Sequence, residues 1–178
     1  MASGSNPSTP APSRRALLSA RQAAVTPLRP PWALAENDFL DACTACNACV
    51  ERCPERVIVR GAGGRPVFDP RLGECIFCGE CESACTPRAL DRAASHEPWT
   101  LKALAGDACL PRHGVVCSSC RDVCPERAIA FPLTSSVPVP LIDPERCTGC
   151  GACVGVCPTR AIALSARTTR SQRTAETA

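Results

Sequence analysis

Sixteen of the 178 residues are cysteine, and they fall into four groups of four, an arrangement that constrains the fold more than any other feature of the chain. The first group is Cys43-x2-Cys46-x2-Cys49-x3-Cys53-Pro54 and the last is Cys147-x2-Cys150-x2-Cys153-x3-Cys157-Pro158. The second, Cys75-x2-Cys78-x2-Cys81-x3-Cys85, has Thr86 before its proline, Pro87, which predicts only a local difference in the turn. The third, Cys109-x7-Cys117-x2-Cys120-x3-Cys124-Pro125, opens with a wider gap. Self-similarity of this kind marks a chain built by repetition of one unit.

Three soft thiolates two residues apart can wrap one face of a cubane, and soft ligands select iron–sulfur clusters, zinc or cuprous copper. In two-cluster bacterial ferredoxins the fourth cysteine, three residues on and followed by proline, ligates the cluster of the partner motif. Structural zinc takes two ligand pairs separated by a longer loop, so zinc fits this spacing poorly. Disulfides fit it less well still, because cysteines so close crowd one another and no oxidising compartment is indicated.

The spacers say which groups pair. Val57-Ile58-Val59, the turn Arg60-Gly61-Ala62-Gly63-Gly64 and Val67-Phe68-Asp69-Pro70 predict a hairpin leading into Cys75. Ala128-Ile129-Ala130-Phe131, a loop through Thr134-Ser135-Ser136 and Leu141-Ile142-Asp143-Pro144 repeat it before Cys147. Between Arg88 and Asp107 no such pair is visible, and Leu101-Lys102-Ala103-Leu104 suggests a helical linker. The expected fold is therefore α+β: two tandem ferredoxin-like modules, 38–90 and 107–164, joined by a linker 91–106. Expected ligand sets are Cys43, Cys46, Cys49 and Cys85; Cys75, Cys78, Cys81 and Cys53; Cys109, Cys117, Cys120 and Cys157; and Cys147, Cys150, Cys153 and Cys124. The wide third group leaves two alternatives for Cys109. Either a looped-out segment still delivers it, or its cluster has three good ligands and is labile. His113, inside that loop, reads as a surface histidine rather than a donor to the site.

Composition supports a scaffold held by its cofactors. Leu, Ile, Val and Phe together make 34 residues, 19% of the chain, which is thin for a protein stabilised by aliphatic burial alone. Cluster loading would supply the missing folding energy, leaving the cluster-free chain largely unstructured. Four clusters at about −2 each would move the formal charge of +3 to about −5. Small residues beside the ligands, Ala45, Ala48, Gly149, Gly151 and Ala152, leave backbone amides free to hydrogen-bond sulfur. Four Phe, two Trp and no Tyr give no stacking surface for single-stranded nucleic acid. No apolar run reaches the ~18 residues of a membrane span. With two histidines, no nucleotide fingerprint and no phosphate loop, nothing in the sequence suggests an independent enzyme.

Residues 1–37 form a basic, proline-rich arm with four arginines before Glu36, expected to be poorly ordered by itself, and 165–178 a polar tail. Ser13-Arg14-Arg15 resembles a twin-arginine export motif, and Ala33-Leu34-Ala35 a cleavage site. The intervening Arg21, Gln22, Pro27, Arg29, Pro30 and Pro31 leave no continuous apolar stretch, which points to a cytoplasmic protein.

Ser13-Arg14-Arg15, Arg29-Pro30-Pro31-Trp32, Phe39-Leu40, Arg60-Gly61-Ala62-Gly63-Gly64, Phe77, Gly106-Asp107-Ala108-Cys109-Leu110 and the four quartets, wide third included, together resemble the NapF family. These are ferredoxin-type accessory proteins of the periplasmic nitrate reductase system. The resemblance spans about Ser13 to Ala163. It implies a cytoplasmic protein with four [4Fe–4S] clusters that binds the catalytic nitrate reductase subunit before export and assists maturation or redox conditioning of its iron–sulfur centre. A polyferredoxin carrying electrons from a membrane quinol oxidase or other reductase is the alternative, with membrane redox subunits as partners. Under the accessory reading the arm, through Arg14, Arg15, Arg29 and Trp32, is the expected partner-binding segment.

Overall fold

A computed structural model describes residues 27–133 and 136–166 of the chain. The cysteine quartets shape its local structure. In the first, Ala45 and Asn47 adopt positive φ (56° and 77°), turning the chain twice before the one-turn helix α2 (Ala48–Glu51). A longer helix, α1 (Glu36–Ala42), precedes the quartet and buries Phe39 completely. Strands β1 (Ile58–Arg60) and β2 (Pro66–Phe68) pair antiparallel as Ile58↔Phe68, Val59↔Val67 and Arg60↔Pro66, the hairpin predicted from their β-branched residues and glycine turn. Gly63 and Gly64 hold φ of 66° and 74° in that turn, where glycine carries no Cβ penalty. The second quartet repeats the double turn through Phe77 (φ 54°) and Gly79 (φ 83°) into helix α3 (Glu80–Ser83), which packs on α2.

The segment expected to be a helical linker is instead a strand, β3 (Leu101–Ala105). It pairs antiparallel over its full length with β6 (Ile162–Ala166), from Leu101↔Ala166 to Ala105↔Ile162. Leu101 and Ala103 are buried and Leu104 is exposed, an alternation of period two that only the partner strand makes sense of. Ser165 and Ala166, expected in the tail, are therefore part of the sheet; the rest of the expected tail lies outside the described residues. Between them lie α4 (Ser119–Asp122), the short pair β4 (Ile129–Ala130) and β5 (Leu141–Ile142), and α5 (Ala152–Gly155), which packs on α4. This second hairpin also falls where it was predicted, although Thr134 and Ser135 of its loop lie outside the described residues.

The N-terminal arm differs from expectation from Leu28 onward. Phe68 donates its N–H to the Leu28 carbonyl (2.7 Å), Trp32 donates to Pro98 (2.7 Å), and Leu34 donates to Ala89 (3.1 Å) beside an antiparallel bridge of Ala33 to Leu90. Pro30 and Pro31 are fully buried. The proline-rich stretch is thus a wall of the first module, its fixed φ angles suiting an extended path with no ladder of its own.

Three apolar clusters make up the core. One gathers Phe39, Ile58, Ala89 and Leu90 around Cys49 and Cys81, and another gathers Ala103, Ile129 and Ile162 around Cys120 and Cys153. The third, Val57, Phe68 and Leu101 with Trp99 and Leu28, forms the seam between the modules. Cysteine occupies central core positions where a larger domain would place leucine.

Candidate iron–sulfur centres

Each one-turn helix carries the third cysteine of its quartet at its second position, and all four are buried: Cys49, Cys81, Cys120 and Cys153, at 6–8% exposure. After the helix the fourth cysteine is reached, and a reverse turn follows. Its third residue is always arginine at positive φ: Arg56 (54°), Arg88 (58°), Arg127 (49°) and Arg160 (54°). Each arginine N–H returns to the carbonyl of the cysteine three residues earlier, at 3.0–3.2 Å. Arg88 conforms despite Thr86, so the displaced proline changes little. This four-fold Cys-x2-Arg turn went unread in the sequence, although its signal, an arginine at the same offset in every quartet, was available there.

These turns aim the fourth cysteine of each quartet toward its neighbour. The result is four open-sided cavities, each with four cysteines in its lining. Cys43, Cys46, Cys49 and Cys85 share one, and Cys53, Cys75, Cys78 and Cys81 another. Cys109, Cys117, Cys120 and Cys157 share a third, and Cys124, Cys147, Cys150 and Cys153 a fourth. The structure thus brings together the same fours that the spacing suggested. Cys109 reaches its cavity through a 3₁₀ turn, Leu110–His113, and is itself buried. His113 is exposed, its Nε2 donating to the Asp107 carbonyl (2.8 Å).

The cavity walls carry the features an iron–sulfur group needs. Among the described residues no three His, Cys, Asp or Glu side chains converge as a single metal ion would require. Four thiols instead surround each void, a soft donor set suited to a multinuclear group. The paired positive-φ residues, Ala45 and Asn47, Phe77 and Gly79, Gly149 (φ 75°) and Gly151 (φ 93°), bend the loops into the kind of backbone nest that receives anionic groups. Backbone N–H groups also point at sulfur: Leu90 to Cys85 (3.4 Å), Ala128 to Cys124 (3.4 Å), Ala161 to Cys157 (3.2 Å) and Ala103 to Cys147 (3.4 Å).

The same burial makes the metal-free sites costly to ionise. Desolvation, joined by neighbouring thiols, pushes Cys49 and Cys120 up to about 11 and Cys81 and Cys153 up to about 12. Burial likewise carries Cys75 to about 11, against a hydrogen bond from the Phe77 backbone. Cys157 goes the other way: burial opposes ionisation, but hydrogen bonds from Ile162, Ala161 and Thr159 together outweigh it and lower its pKa. Thiols neutral at pH 7 must release protons when metal binds, so loading and pH are coupled.

Of the four residues expected to bind a partner, Arg14 and Arg15 lie outside the described residues. Arg29 and Trp32 are used internally. Arg29 forks onto Glu36 (2.9 and 2.7 Å), donates to the Pro66 carbonyl (3.1 Å) and lies 4.5 Å from the Phe39 ring centroid. Trp32 is buried, is covered by the Arg92 guanidinium at 3.9 Å and lines the cavity of Cys53, Cys75, Cys78 and Cys81.

Comparison with known proteins finds iron–sulfur-binding domains along the chain. Residues 42–90 match a 4Fe-4S dicluster domain and residues 140–163 a 4Fe-4S binding domain. The ferredoxin-type protein NapF of Escherichia coli K12 is 41% identical over 139 residues, 77% of this chain and 84% of that protein. The chain belongs to the NapF family of ferredoxin-type proteins. NapF of Haemophilus influenzae is 37% identical over 68% of the chain and 69% of its own length. The methylamine utilization ferredoxin-type protein MauM of Methylobacillus flagellatus is 35% identical over 75% of the chain and 65% of its length. NapF-like character therefore extends across both modules, with iron–sulfur-binding domains of the ferredoxin type in each. Among the described residues no helix is long and apolar enough to cross a membrane.

Proposed function

We propose that this chain holds four [4Fe–4S] clusters, one in each four-cysteine cavity. In this reading it serves in the cytoplasm as an accessory protein to periplasmic nitrate reductase, binding the catalytic subunit before export and assisting maturation or redox conditioning of its iron–sulfur centre. The observation that carries the cluster count is the sorting of all sixteen cysteines into four cavities of four, each drawing on two quartets. Kinship to NapF proteins supports the nitrate reductase assignment.

When bound, the clusters supply one-electron chemistry. The chain's own residues do the rest. Three cysteines of one quartet and the fourth of its partner present thiolates at each cavity, while the nests and the N–H groups of Leu90, Ala128, Ala161 and Ala103 offset negative charge on sulfur. The Cys75 N–H donates to the Cys150 carbonyl (2.8 Å), tying the loop of the second quartet to that of the fourth. Trp99 spans the same seam, its ring 5.4 Å from Phe77 and its Nε1 donating to the Thr148 carbonyl (2.9 Å). The two modules are thereby joined at cysteine loops rather than at their far ends. In this reading the protein acts on a partner rather than as an enzyme, in keeping with its kinship to ferredoxin-type proteins.

Anaerobic co-purification from the cytoplasm of nitrate-respiring cells tests the partner. Recovery of the unexported molybdenum nitrate reductase supports the accessory role. Recovery of membrane redox subunits in its place favours the polyferredoxin reading, to which kinship with the methylamine utilization proteins lends support. The docking role of Arg14 and Arg15 is tested by deleting residues 2–26, which spares the packed stretch from Leu28. Maturation should fall while cluster content stays whole.

A further inference from the structure

The chain has a single lysine, and it sits beside one of the four centres. Lys102, half-buried on β3, donates from Nζ to the Cys147 carbonyl at 2.6 Å. Its neighbours add to the contact: the Ala103 N–H reaches Cys147 Sγ (3.4 Å) and Trp99 Nε1 holds the Thr148 carbonyl (2.9 Å). Gly149 completes the fit, since a Cβ there would run into the Leu101 carbonyl. At the fourth cysteines Cys85, Cys124 and Cys157 the sulfur is capped by an N–H four or five residues ahead; at Cys147 the cap comes from a strand 44 residues away that brings a full positive charge with it. The opposing charge is Glu74, which precedes Cys75 at the seam with Cys150 and bears on the Cys150 thiol.

The geometry points to Lys102 as the residue that sets the reduction potential of the centre at Cys124, Cys147, Cys150 and Cys153. This rests on the four-cluster reading. One added electron makes that centre more negative, and net charge and hydrogen bonding are among the protein's main controls of such potentials. A fixed ammonium against the Cys147 peptide, in a half-buried position where water screens it poorly, favours the reduced form. The centre lies at the seam between modules, so Lys102 raises the potential at their junction.

The test uses the anaerobically purified full-length holoprotein, with Lys102→Met, which keeps most of the stem and removes the charge, and Lys102→Arg, which restores the charge. Iron and sulfide are counted, and the four potentials are followed by electron paramagnetic resonance during a redox titration. Lys102→Met should lower one potential alone by at least tenfold in its reduction equilibrium constant, which is 59 mV for a one-electron couple. Lys102→Arg should bring it back. Full cluster content with all potentials unmoved in Lys102→Met, or an equal shift in both variants, overturns the assignment of Lys102. A Cys147→Ala protein that keeps the full iron content of the wild type overturns the four-cluster reading itself, and Lys102 with it.

Discussion

The two modules enclose their cavities by the same means at very different strength. In each, a segment entering the module pairs antiparallel with the segment leaving it. In the first, that pairing is one bridge, Ala33 to Leu90, and the entering chain is held by buried Pro30 and Pro31, Trp32 and the Arg29 fork on Glu36. In the second, β3 and β6 pair over five residues, and β3 also hydrogen-bonds directly to the Cys147 loop. A ladder fixes register residue by residue, whereas side-chain packing around prolines fixes only position. The second module needs the ladder because its own first cysteine stands eight residues before the next, so its third quartet lacks the doubly turned loop that the other three possess.

That difference is broken most severely at the cysteines. Cys43→Ser and Cys109→Ser remove the first cysteine of a compact quartet and of the extended one. Both line four-cysteine cavities, and each should cost one centre's iron, to equal extent, in anaerobic iron and sulfide analysis. Retention of iron in Cys109→Ser alone would mean that the long loop presents a spectator thiol.

Breaking the ladder comes next. Ala103 turns its N–H to Cys147 Sγ, so by the alternation of antiparallel pairing the Leu104 N–H faces β6. Leu104→Pro should therefore cost the second module about 3 kcal/mol. Leu34→Pro removes the single bond to Ala89 and should cost nearer 1 kcal/mol. Thermal unfolding of the holoproteins, with iron release as a second probe, reports both. Equal losses would show that the bridge in the first module does as much as the sheet in the second.

Smaller still is the contrast between two glycines of the second module. Gly149→Ala puts a methyl against the Leu101 backbone and strains a φ of 75°, a loss of about 2 kcal/mol. Gly114→Ala, at φ 77° with open space around it, should show only the backbone strain, about 1 kcal/mol. A matched drop in thermal midpoint would mean that β3 yields to the methyl and does not clamp the loop.

What could be read from the sequence follows the range of its signals. Both hairpins were visible because the runs Val57-Ile58-Val59 and Ala128-Ile129-Ala130-Phe131 stand next to turn residues, glycines in the first and Thr134-Ser135-Ser136 in the second. The grouping of cysteines was visible because spacing alone encodes it. Strand β3 was not, since Leu101-Lys102-Ala103-Leu104-Ala105 is composed of good helix formers and its partner lies some sixty residues away; pairing overrides local propensity there. Trp32 and Arg29 were misplaced for a related reason. A basic, proline-rich stretch has the composition of a solvated arm, and only Phe39, Glu36 and the Pro66 carbonyl, contributed by other elements, turn it inward.

The smallest effect separates the modules by pH. The Arg29 fork, chiefly through its hydrogen bonds, holds the Glu36 carboxyl below its ordinary value, against a smaller opposing effect of burial. A carboxyl whose folded pKa is lowered stabilises the fold above its unfolded pKa, near 4.5, and loses that contribution as pH falls through the lowered value. Because the Glu36 side chain is 40% exposed, solvent screening keeps the contribution under about 1 kcal/mol. Glu36→Gln should therefore lower the thermal midpoint slightly at pH 7, and the gap from wild type should close as pH is taken down from 4.5 through the lowered value. The β3 and β6 ladder contains no carboxylate, so the gap between wild type and Leu104→Pro should show no such convergence. A gap of constant size across that range would mean that Arg29 holds the entering chain through Phe39 and Pro66 alone, with the charge on Glu36 contributing nothing.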